Sequence, residues 1–84
     1  MGHVEGGAMR EGLLWFDDDP RRAMAEKVQL AAARYRQKFG VTPDVCYVND
    51  KTIDRAEVRV GDLRVRQAST VLPNHFWIGR GAGE

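Results

Sequence analysis

The chain has 84 residues, a formal net charge of +1, 43% apolar and 30% charged residues. That length holds one domain, and the balance is that of a globular rather than a disordered chain. The near-neutral charge excludes bulk attraction to nucleic acid or to an anionic membrane, so binding of either kind needs a local cluster. Cys46 is the only cysteine and His3 and His75 the only histidines, which excludes an internal disulfide and any zinc site of ordinary composition. No apolar run approaches the ~20 residues that span a bilayer. The first residues lack the apolar core of a signal peptide. The expectation is a soluble, cytoplasmic protein with no cofactor and no metal.

Residues 1–10 read as a flexible leader, with Met9 a second start; residues 11–79 form a single domain, and residues 80–84 a loose tail. Leu13-Leu14-Trp15-Phe16 is apolar at every position, as a buried strand is. It stops at Asp17-Asp18-Asp19-Pro20. Asp19 suits an N-cap and Pro20 the first helical position, where its missing N–H costs nothing. A helix is therefore expected from about Pro20 to Phe39, closed by Gly40. At 100° per residue, Met24, Val28, Ala31, Ala32, Tyr35 and Phe39 share one face, the side that packs on the core.

Val45 to Val48 follows, apolar on both faces and so a central strand. A strand, a helix and a strand on short connections imply a right-handed crossover between parallel strands. Glu57-Val58-Arg59-Val60 and Leu63-Arg64-Val65-Arg66 alternate about Gly61-Asp62, the signal of a two-residue hairpin with a type II′ or I′ turn. His75 to Ile78 is the last strand. The fold class is α+β, one long amphipathic helix on a small mixed sheet, in the order β-α-β-β-β-β.

An apolar strand running into Asp17-x-Asp19 resembles the opening motif of haloacid-dehalogenase-type phosphotransferases. The resemblance implies a carboxylate nucleophile beside magnesium. That family also uses a later Ser or Thr, a Lys and a further acidic pair on successive strands of a larger fold, so helix capping and the helix dipole account for the three aspartates here. A carboxylate–metal site at Asp17 and Asp19 is the only enzymatic reading left, since nothing in spacing supports a nucleophilic set of Cys46, His75 and Asn74.

Two surfaces look unfinished for a monomer. Ala23, Glu26, Leu30, Ala33 and Gln37 recur at spacings that line the helix's outer side, a strip able to hold a partner protein or a second copy. In the hairpin, Arg59 faces Arg64 and Glu57 faces Arg66 on the side away from the valines, and like charges directly opposite are destabilising. Carboxylates from elsewhere, Asp62 or the Asp17–Asp19 run among them, or an external anion could offset that. Between residues 20 and 39 the net charge is +5, but the basic residues straddle the core face as solvated rims do. The expected function is a non-catalytic interaction module acting through the helix strip, an exposed sheet edge, or both. The alternative is a nucleic-acid or polyanion binder using Arg59, Arg64 and Arg66, with Trp77 stacking on bases.

Overall fold

The computed structural model describes residues 12–81, and the leader expected at 1–10 lies outside them. Strand β1 (Gly12–Phe16) is followed by helix α1 (Met24–Phe39) and then by β2 (Val45–Val48), β3 (Glu57–Val60), β4 (Leu63–Gln67) and β5 (His75–Gly79). This is the α+β order expected, one helix packed on a five-stranded mixed sheet.

The sheet order is β1-β5-β2-β4-β3. Only β2 and β4 run parallel as neighbours; β1–β5, β5–β2 and β3–β4 are antiparallel. Strand β2 is central and buried throughout, as its apolar run requires. Strands β1 and β2 do point the same way, but β5 lies between them. Phe76 and Ile78 fill the core from β5 while Trp77 projects from its other face, so an interior slot buries both of its faces. The hairpin has the expected register, Val60 opposite Leu63 and Arg59 opposite Arg64. Gly61 has φ of 61° and Asp62 is not among the positive-φ residues, the pattern of a II′ turn.

The helix starts four residues later than the cap signal implies. Ala23 is the N-cap, extended at φ −72°, ψ 159°, with no side-chain cap. Asp19 is otherwise engaged: its carboxylate accepts the Arg21 N–H at 2.9 Å, and the Asp19 N–H donates to Asp17 Oδ1 at 3.0 Å. These local turns compete with helix for the same backbone groups. At the other end Gly40 adopts φ 75° and donates its N–H to the Arg36 carbonyl, the expected glycine closure.

The core lies between α1 and one face of the sheet. Val28, Ala31, Ala32 and Tyr35 pack with Cys46, Val48, Val65, Phe76 and Ile78, and with Met24 and Phe39 half-buried at the ends. Among the described residues no helix covers the other face. There a smaller cluster of Val45, Tyr47 and Val71 is bordered by Ala68 and Trp77. The 68–74 segment is held across it, the Ala68 N–H donating to Val48 O at 2.8 Å and Asn49 Nδ2–H to Val71 O at 2.9 Å.

Two local expectations are corrected. Strand β1 is an edge strand, not a buried one, with Leu14 58% and Phe16 54% exposed. One helix covers only one face, so alternate residues of an outer strand stay uncovered. The tail is tied down at its start: Arg80 Nη1–H donates to Thr42 O, and the Gly81 N–H to Asp44 Oδ1, both at 2.8 Å.

Candidate functional site

The uncovered face of the sheet divides into two halves. Side chains alternate along a strand, so Leu14, Trp77, Tyr47, Arg66 and Glu57 form one row across the sheet, in register from β1 to β3. The next row runs Gly12, Gly79, Val45, Arg64, Arg59. The β1 side is apolar and the β3 side cationic.

The arginines are partly offset from within. Arg66 Nε lies 3.3 Å from Glu57 Oε1, the pair that the register places opposite one another. Arg59 makes no ion pair among the described residues, and it sits directly opposite Arg64. Asp17 and Asp19 do not reach this face and are engaged with Arg21 and Arg22 instead. Trp77 is half-buried and its indole lies across β1. A Cβ on Gly12 would stand 2.7 Å from that ring, so the glycine makes room for it. The indole is packed into the sheet surface and does not stand free as a stacking platform.

The acidic run builds a turn. Asp17 is buried, and both of its oxygens are used: Oδ1 accepts the Asp19 N–H and Oδ2 the Arg22 Nε–H, each at 3.0 Å. The Asp19 amide, chiefly, holds the Asp17 carboxyl below its ordinary value; burial opposes this, and the Arg22 guanidinium adds to the lowering. Asp19 is lowered as well, mainly by its hydrogen bonds from Arg21. Cys46 lies beneath the helix, where burial pushes its thiol up to about 12. His75 lies on the uncovered face with its Nδ1 2.9 Å from the Pro73 carbonyl, so the sheet separates the two side chains.

The helix's outer strip is presented to solvent. Glu26, Leu30 and Gln37 are exposed and Ala33 half-buried; Ala23 is exposed but is the N-cap residue. Leu30, 40% exposed, is its one large apolar side chain.

The margin at β1 is more apolar. Leu14 and Phe16 stand exposed on one face of β1, Leu72 is 66% exposed in the turn entering β5, and the Phe16 and His75 rings lie 5.0 Å apart. Among the described residues no strand pairs with the outer edge of β1. The Asp17 N–H donates to Asn74 O, which makes Asp17 a hydrogen-bonded position of the β1–β5 ladder. Pairs alternate in an antiparallel ladder, so Trp15 and Leu13 also bond to β5, and Gly12, Leu14 and Phe16 turn their N–H and C=O groups outward. No charged residue lies within β1, whereas β3, the opposite edge, carries Glu57 and Arg59.

The sequence reading missed Leu14, Phe16 and Leu72 as surface groups. The available signal was an outer strand apolar at every position in a chain with one helix to cover it. Comparison of the chain with protein-family models, with curated proteins and with solved structures returns no match.

Proposed function

We propose that this chain is a non-catalytic interaction module that docks a partner protein on the β1 margin of its sheet. One observation carries the reading: the large exposed apolar side chains of Leu14 and Phe16 stand on a strand that holds no charge and whose outward backbone groups take no partner strand among the described residues. Such edges are templates for a further strand, and proteins ordinarily protect them with charged residues. The helix strip around Leu30 supports docking less strongly, because its other members are polar or small.

A second reading, polyanion binding, draws support from Arg59, Arg64 and Arg66 sharing the uncovered face with Trp77. The Glu57–Arg66 pair and the packed indole count against it.

One titration series followed by amide NMR separates the two. Display-selected peptides are expected to be extended and apolar, to shift Gly12 to Phe16, and to lose roughly tenfold or more in affinity, about 1.4 kcal/mol, on Phe16→Lys. A mixed-sequence oligonucleotide is expected to leave residues 57–68 unshifted. Peptides indifferent to Phe16→Lys would remove the docking reading. Salt-sensitive oligonucleotide shifts at Arg59 and Arg64 would install the polyanion reading in its place.

A further inference from the structure

We propose that the partner on the β1 edge is a second copy of this chain, paired antiparallel to it about a twofold axis at Leu14. The inference rests on the preceding reading of the β1 margin and names its occupant. Leu14 is the midpoint of the five-residue strand, and it belongs to the set whose backbone groups point outward. An antiparallel mate centred there sets Leu14 against Leu14 of the other copy and Gly12 against Phe16, in both directions. Every one of these three residues then faces another residue with outward groups, so all of their donors and acceptors are satisfied together. A register shifted by one residue sets outward groups against inward ones.

The side chains agree with that register. The strand ends in a bulky exposed ring at Phe16 and starts at Gly12, which has no side chain. Twofold pairing sets each Phe16 opposite Gly12 of the other copy, where its ring meets the Trp77 indole that already fills the space above that glycine. The two Leu14 side chains meet at the axis. On the helix-side face the same pairing sets Leu13 against Trp15, both half-buried in the monomer. Strand β1 already pairs antiparallel to β5, so the mate continues the ladder and joins two five-stranded sheets into one. A self-complementary patch of this kind is what a twofold dimer requires.

Sedimentation velocity on the full chain, from micromolar to millimolar concentration, tests this with Leu14→Lys and Leu14→Glu. The parent is expected to move toward twice its 9.5 kDa mass with rising concentration. Each variant alone should stay at the single-chain mass, since like charges meet at the axis, and an equimolar mixture should recover the doubled mass. Amide exchange on the parent, which needs no substitution, should show protection of Gly12, Leu14 and Phe16 that grows with concentration. A parent that stays at 9.5 kDa, variants that dimerise alone, or a mixture that fails to recover would each overturn the self-pairing. If the parent is monomeric while selected peptides still bind and lose affinity on Phe16→Lys, the self-pairing falls and the docking margin stands.

Discussion

Asp17 shows how one buried carboxylate organises the entry to the helix. Its two oxygens draw the Asp19 amide and the Arg22 guanidinium onto the end of β1, which closes the turn but leaves α1 without its cap. Because the folded-state value lies below the ordinary 3.8, folding favours the ionised form. The contribution is complete above that value and is lost as pH falls through the lowered folded value. Asp17→Asn is therefore expected to lower the urea midpoint at neutral pH. The gap between variant and parent should close as pH is taken from about 6 to about 2. A gap that stayed constant over that range would show that the ionised carboxylate contributes nothing to folding.

At the scale of elements, α1 has a deficit at one end and none at the other. Gly40 closes the C-terminus in the left-handed conformation, whereas Ala23 at the N-cap has the extended backbone of a capping residue and no oxygen to offer. Ala23→Ser should raise stability by about 1 kcal/mol, read as a higher urea midpoint without change in the slope. An unchanged or lower midpoint would show that the first helical amides gain nothing from a hydroxyl at the N-cap. The hairpin shows the opposite economy. Gly61 supplies the one positive φ its turn needs, and the register that sets Arg59 opposite Arg64 also sets Glu57 opposite Arg66 as an ion pair. The hairpin and its pairings could be read from alternation about a Gly-first dipeptide, because two-residue turns fix register. The start of α1 could not: Asp-Asp-Asp-Pro is equally a cap and a set of side-chain turns, and the choice depends on where Arg22 lies.

At the scale of the whole molecule, the one helix and five strands among the described residues leave a sheet that a helix covers on one side only. Stability should grade from the centre outward: β2 is buried on both faces and flanked on both sides, while β1 and β3 are edges. Native-state amide exchange should find the slowest amides in Cys46 to Val48 and the fastest strand amides in β3, whose exposed positions carry Glu57 and Arg59. Equal protection in β2 and β3 would show the sheet opening as one unit. The tie from Arg80 and Gly81 back to Thr42 and Asp44 belongs to this scale, since it links residues far apart in sequence across the strand ends.

By itself the sequence determined the fold class, the element order, the core face of α1, the burial of Cys46 and the hairpin register, because each follows from periodicity or from a local turn. No helix among the described residues is long and apolar enough to cross a membrane, which the lengths of the apolar runs already implied. Tertiary structure alone decided that β5 enters between β1 and β2, that the acidic run turns inward on Arg22, and that Leu14 and Phe16 face outward. A wholly apolar strand reads the same whether it is interior or at an edge. Only the number of layers available to cover it, and the neighbour it takes, settles which of its faces meets water.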